Sequence, residues 1–461
     1  MVEIIPILSR TFKLKKNRKR KRGDGTDLFE VRPTNDKNGF GIFAVANIAC
    51  GDLIISHEEP IIACSARPNR SICSSCSTPI GTLGKDHLKA DGIDVSLPYI
   101  FDGIDSDDLV LTTSHTKCKE CDDTVWCSTE CFRKCQEQHC IFCKGSGPLK
   151  DFIEKEEENA TILRLATKVI AVAMSHLTSL SNDKQTFIEQ CFWWTEYGSH
   201  PLWWEVGAPK DDKKDITSRF CTALQKTLIE FIASKRIDVE ETVVRQVCSQ
   251  DTVGSILGML QCNVMEYEFP SPAGQYLEQV FEDSCEQFAA HGQPISGSGL
   301  YPLLSLANHD CNPNASIEFL QESNRGSMVA TRDIAVDEEI CITYVCNGGV
   351  GGGDGAEYFR NFCPSRTWTW LNERNNEEDD EEERDEDLDD PDLDDDGKSV
   401  DESSTSSNGV SQPKQDSDSV GQSPLEGSTV EERAKSLFEY GFHCKCSTCA
   451  TQRCDNTSTL T

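Results

Sequence analysis

Eight candidate metal ligands fall into four close pairs between Cys73 and Cys143, and no other feature limits the fold of this chain as tightly. The pairs are Cys73/Cys76, Cys118/Cys121, Cys127/Cys131 and His139/Cys143. A gap of two or three residues lets both members of a pair face one ion, and eight ligands are enough for two closed tetrahedral zinc sites. A long excursion separates Cys76 from Cys118, which leaves Cys135 and Cys140 as substitutes for the first pair. Structural zinc contributes folding free energy directly, so this stretch is expected to unfold on chelation. The chain has 24 cysteines, and its opening residues MVEIIPILSR form too short an apolar run, with Glu3 ahead of it, for a secretory signal. The expectation is metal ligation in a reducing compartment, with nuclear and cytoplasmic residence, rather than a disulfide scaffold. No apolar run reaches the ~20 residues of a membrane span.

The formal net charge of −33 is unevenly spread, with about half of the excess between Glu377 and Asp396, which holds sixteen carboxylates and one arginine. At the other end, Lys13 to Arg22 has eight basic residues in ten. That run reads as a nuclear import signal or a solvated arm. No aromatic residue interleaves it, so direct nucleic-acid binding is not expected. The cysteine pairs also lack the spacing of a groove-reading finger.

Residues 1–27 read as a basic disordered arm, and residues 28–72 as β-structure in which Gly39-Phe40-Gly41 forms a turn feeding a strand. The texture of 151–292 is helical, with Ile162, Leu163, Leu165, Ala166, Val169, Ile170 and Ala173 at helical spacing. Trp193-Trp194 and Trp203-Trp204 read as core anchors, and Asn263 as an amide needing a partner in an apolar helix. Within 293–346, the apolar run Leu303 to Ala307 ends in Asn308-His309, then Cys311, then a turn at Asn312-Pro313-Asn314. Polar groups closing a buried segment require partners, which a ligand or metal can supply. Asp337 to Tyr344 reads as a turn and an alternating strand ending in a tyrosine. The glycine-, acid- and serine-rich stretch 347–428 reads as disordered. In 429–454 a short helix carrying Ala434, Leu437 and Phe438 leads to Cys444, Cys446 and Cys449, for which Cys311 is the candidate fourth thiol.

In order, Asn308-His309-x-Cys311-x-Pro313-Asn314, Glu338-Glu339-Ile340-x-Ile342-x-Tyr344 and Cys444-x-Cys446-x-x-Cys449 resemble the SET-domain protein lysine methyltransferases. The paired ligands, with Trp126-Cys127-Ser128 among them, are similar to the MYND zinc module, which implies that the first and third pairs share one ion and the second and fourth another. Together these resemble the SMYD family, and among its members the layout is nearest to the fifth, short C-terminus type. The implied fold is α+β: a SET β-fold split by a MYND module (73–143) and a helical insert, followed by a zinc-binding post-SET segment.

The resemblance implies methyl transfer from S-adenosylmethionine to a lysine of a histone tail or another basic protein, such as a ribosomal protein. Tyr344 would orient the amine, and Tyr440 and Phe442 would wall the lysine channel and the cofactor pocket. Gly39, Phe40 and Gly41 would cradle the cofactor's methionine end, with Asn263, Asn308, His309 and Tyr344 also meeting the cofactor. Cys311, Cys444, Cys446 and Cys449 would hold a third zinc. A proline-containing peptide at the MYND module and a monomeric state complete the expectation. The alternative is a non-catalytic SET/MYND scaffold that recruits peptides for transcriptional repression.

Overall fold

The computed structural model describes residues 28–34, 39–66, 71–89, 110–112, 115–121, 124–140, 143, 148–178, 201–207, 210–235, 241–275, 294–320, 323–344 and 430–438, with Cys444, Cys446 and Cys449. All of them lie in one compact unit formed from Met1–Gly349 and Gly427–Thr461; a second unit, Val350–Glu426, contains none of them. The basic arm and the stretch read as disordered therefore fall outside the described residues.

Strands β1 (Phe29–Pro33), β2 (Phe40–Ala44), β3 (Leu53–Glu58) and β4 (Ile62–Ser65) come first, followed by the short strands β5 (Gly81–Thr82), β6 (Val110–Thr112), β7 (Thr116–Lys117) and β8 (Val125–Trp126). Helix α1 (Thr129–Cys140) closes the cysteine-rich stretch, and α2 (Pro148–Lys155), α3 (Ala160–Thr178), α4 (Lys210–Lys235), α5 (Glu241–Val247) and α6 (Gln250–Asn263) follow. The chain continues through β9 (Val264–Phe269), β10 (Ile295–Leu300), β11 (Asn308–His309), β12 (Ala315–Phe319), β13 (Gly326–Ala330) and β14 (Glu339–Ile342), and ends its described helices with α7 (Val430–Phe438).

Three small sheets carry the fold, in the orders β1-β2-β14-β11, β4-β10-β9 and β12-β13-β3. Their pairings are antiparallel except β11 against β14, which is parallel and sets Asn308 beside Cys341 and His309 beside Ile342. Alternation explains the faces. Ile340 and Ile342 of β14 are buried while Glu339 and Cys341 are half-buried.

Helices α3, α4 and α6 pack their apolar faces into the same core as the first and third sheets, through Leu163, Ala166 and Ile170, Phe220 and Leu224, and Leu257 and Leu260. Trp203 is buried there, with its indole N–H on the Gln261 amide at 3.4 Å. A Cβ on Gly258 would stand 2.0 Å from the Pro201 carbonyl oxygen, so glycine is what permits this approach. Trp193 and Trp194 lie outside the described residues.

One expectation is corrected. The helical stretch read over 151–292 is interrupted after Asn263 by β9, because Val264 to Phe269 has a period of two; residues 272–275 are helical again, and 276–293 lie outside the described residues. Tyr267 and Phe269 point into a second buried cluster with Ala63, Ile72 and Ile295, while Glu266 and Glu268 point away. On α7, the expected short helix, Leu437 is fully buried and Phe438 is exposed. Among the described residues no helix is long and apolar enough to cross a membrane.

Candidate active site and metal centres

The site begins with a clamp that the sequence did not announce. Both carboxylate oxygens of Glu58, at the end of β3, accept backbone N–H bonds from Leu303 and Leu304 at 2.8 Å. In the same turn, Ser305 donates its hydroxyl to the Asn263 carbonyl at 2.7 Å. The chain thereby presents the Ala307 carbonyl, which accepts the Tyr344 hydroxyl at 2.7 Å.

Asn308 donates its side-chain amide to the Phe40 carbonyl at 3.0 Å and to Glu339 Oε1 at 2.7 Å. Two acceptors fix which end of the amide carries the hydrogens. A Cβ on Gly41 would lie 2.5 Å from that Glu339 oxygen and 3.0 Å from the Asn308 amide nitrogen. The Gly-x-Gly turn, the Asn-His pair and the Glu-Glu-Ile strand thus meet at one point, and Gly41 has a reason inside the protein for lacking a side chain. Gly41→Ala is expected to destabilise the fold by about 1–3 kcal/mol through overpacking, read from the denaturant midpoint.

His309 connects the tyrosine to the cysteines. Its Nδ1 accepts the Tyr344 backbone N–H at 3.0 Å, which leaves the hydrogen on Nε2, 3.3 Å from Cys311 Sγ. Burial, reinforced by Arg433, pushes the imidazole down to about 4, so the ring is neutral near pH 7. The His309 and Tyr344 rings lie 5.5 Å apart. Asn314 stitches the same region together. It donates to Glu338 Oε1 and the Glu339 carbonyl and accepts the Cys341 N–H, at 3.0, 2.8 and 2.8 Å.

Three groups of four ligands come together, each with its ligand atoms within 4.8 Å: Cys73, Cys76, Cys127 and Cys131; Cys118, Cys121, His139 and Cys143; and Cys311, Cys444, Cys446 and Cys449. The first and third pairs of the cysteine-rich stretch meet, and so do the second and fourth. The donor sets and spacing suit zinc. Tetrahedral sulfurs about 2.3 Å from a metal stand about 3.8 Å apart, and the observed separations include 3.5 Å for Cys76–Cys127, 3.6 Å for Cys127–Cys131 and 3.8 Å for Cys311–Cys444. Trp126, fully buried, packs edge-on against Phe132 and the His139 ring, giving these loops a small core. Burial pushes the Cys444 thiol up to about 11, a penalty that a divalent cation reverses. Cys135 belongs to none of the groups, and burial raises its thiol. The Cys140 side chain lies outside the described residues.

Other expected site residues are placed as follows. Gly39 and Phe40 lead into β2 at the same corner, half-buried. Asn263 donates its amide to the Met259 carbonyl of its own helix at 2.7 Å, so a partner within α6 answers its need. Tyr440 and Phe442 fall outside the described residues. Glu58, Glu339 and Asn314 were not anticipated as site residues. Glu339 and Asn314 stand inside the quoted motifs, whereas Glu58, distant in sequence, carries no local signal.

A family model described as the SET domain matches residues 207–345. The chain is 24% identical over 270 residues to the histone-lysine N-methyltransferase ATXR2 of Arabidopsis thaliana, covering 49% of this chain and 55% of that protein. It is 26% identical to a SET and MYND domain-containing protein of Dictyostelium discoideum, over 50% of this chain and 57% of the relative. It is 24% identical to the protein-lysine N-trimethyltransferase SMYD5 of Homo sapiens, over 68% and 79%. The chain thus spans little more than half the length of the first two. It carries a SET domain and is similar to the SMYD-like proteins that combine it with a MYND module.

Proposed function

We propose that this chain is an S-adenosylmethionine-dependent protein-lysine N-methyltransferase. The observation that carries the reading is the Tyr344 hydroxyl, held on the Ala307 carbonyl at the end of β14, beside the corner where Asn308 meets Phe40. A hydroxyl whose proton is committed to a carbonyl presents only lone pairs to a third group. Tyr344 would therefore accept an N–H from the substrate lysine and aim the nitrogen lone pair. The amine must be neutral to react. Free lysine titrates near ~10.4, and a dry channel that disfavours its charge lowers that value. Tyr440 and Phe442, just ahead of the Cys444 ligand, are proposed as the channel and pocket walls.

S-adenosylmethionine, when bound, supplies a methyl group on a positive sulfonium. The residues present fit it. Both hydrogens of the Asn308 amide are committed, and its oxygen takes no hydrogen bond among the described residues, so it is an acceptor for the cofactor's ammonium group. The backbone of Gly39–Gly41 lies at the same corner, and Tyr344 and His309 border it. Rate would come mainly from alignment and fixed dipoles. Three zinc ions, one per ligand group, are proposed as structural.

Histone tails or other basic proteins, ribosomal ones included, suit a chain of net charge −33. The relatives named as histone-lysine and protein-lysine methyltransferases support that class. Residence in nucleus and cytoplasm, a monomeric state and a proline-containing peptide at the cysteine-rich module are proposed on the sequence alone. Incubation with methyl-labelled cofactor and histones, ribosomal proteins or fractionated extract tests the reading. Label on lysine is the expected result. A protein that retains its zinc yet binds no cofactor in a calorimetric titration would instead be the peptide-recruiting scaffold.

A further inference from the structure

The third ligand group has an outer layer that the first two do not need to the same degree. Each of its four sulfurs has a nitrogen donor: His309 Nε2 for Cys311 at 3.3 Å, the Cys446 N–H for Cys444 at 3.4 Å, the Cys449 N–H for Cys446 at 3.5 Å, and the Arg433 guanidinium for Cys449 at 4.0 Å. Such a shell suits thiolates, which accept hydrogen bonds. Four thiolates around a divalent ion carry a net charge of about −2. Here that charge is buried, since Cys311, Cys444 and Cys449 are 0%, 4% and 1% exposed. The other two groups are half-buried except for Cys73, so water helps to screen them.

Arg433, on α7, is 0% exposed. A buried guanidinium and a buried anionic metal centre are each costly alone and mutually stabilising side by side. We propose that Arg433 is the counter-ion of the third metal centre. Its charge raises that site's hold on zinc, and the bound metal in turn fixes α7 and the three cysteines that follow it. The inference rests on the zinc reading above. It adds a positioning residue for the metal at Cys449, as His309, which itself accepts the Tyr344 N–H, is at Cys311.

The test compares the full chain with its Arg433→Met and Arg433→Lys variants, counting zinc per chain by mass spectrometry and timing its release to a chromogenic chelator. The wild type should carry three zinc ions. In Arg433→Met one ion should leave about 10–100-fold faster, the usual cost of losing an outer-layer partner, while the other two keep their wild-type release. Arg433→Lys, which retains a charge and a donor, should recover most of the hold. Unchanged release in Arg433→Met overturns the proposal. So does equal failure of the Met and Lys variants, which would show that shape rather than charge matters. A wild-type chain with only two zinc ions overturns the third metal site itself, a separate outcome.

Discussion

Phenylalanine at Tyr344 is expected to lower lysine methylation by about a hundredfold or more while leaving the fold in place. The hydroxyl donates to the Ala307 carbonyl at 2.7 Å. Losing one such bond costs about 1 kcal/mol. The ring still packs against the main core, and the backbone N–H still bonds His309. Stability should therefore fall little. The rate should fall far, because a misplacement of about 1 Å in an aligned displacement costs about a hundredfold. Single-turnover transfer from labelled cofactor, beside a thermal melt and a cofactor titration, separates the effects. Transfer within tenfold of wild type would remove Tyr344 from its assigned role.

Cys76→Ser should have the largest effect on stability. A structural zinc site contributes on the order of 10–16 kcal/mol in small peptides, as much as the whole margin of a typical domain, about 5–15 kcal/mol. The damage should also spread. The Cys76 carbonyl accepts the Asn324 N–H at 2.9 Å, and the Asn324 amide donates to the Ser75 carbonyl at 3.0 Å. Ser77 shares a 2.7 Å hydrogen bond with the Tyr267 hydroxyl. When the first metal loop opens, Asn324 and Tyr267, both 1% exposed, lose these partners in a dry setting, at about 1–3 kcal/mol each. Hydrogen exchange should accelerate in β9 and β13 as well as in the cysteine-rich stretch. Acceleration confined to residues 71–143 would show that the metal module is independent.

Metal-ligand spacing was the most legible part of the sequence, because chain geometry over two or three residues determines which ligands can share an ion. The alternation of β14 and the α3 stripe were readable for the same local reason, whereas the interleaving of the pairs came from the resemblance to the MYND module. Three-body convergence was not. Gly41 looked like a place for a ligand, yet Glu339 and Asn308 occupy the space beside it, arriving from about three hundred residues away. Asn263 was divided between cofactor contact and an internal bond, and its side-chain amide bonds the Met259 carbonyl one turn earlier. Glu58 and Arg433 carry no periodic mark; only the folded chain reveals that one clamps a turn and the other stands beside a sulfur. The strand after Asn263 was hidden by the helical texture around it.

The separations across the clasp bear on the order of assembly during synthesis. The Asn308–Phe40 bond spans 268 positions and the Cys311–Cys449 contact 138. A ribosome-bound chain can fold its helices and its first two metal loops early, since those contacts are local. The third group closes only once residue 449 has cleared the exit tunnel. Contacts so distant in sequence form slowly, so a nascent chain would pass through a stage with folded walls and an open corner at Asn308, which closes when the last three thiols reach Cys311.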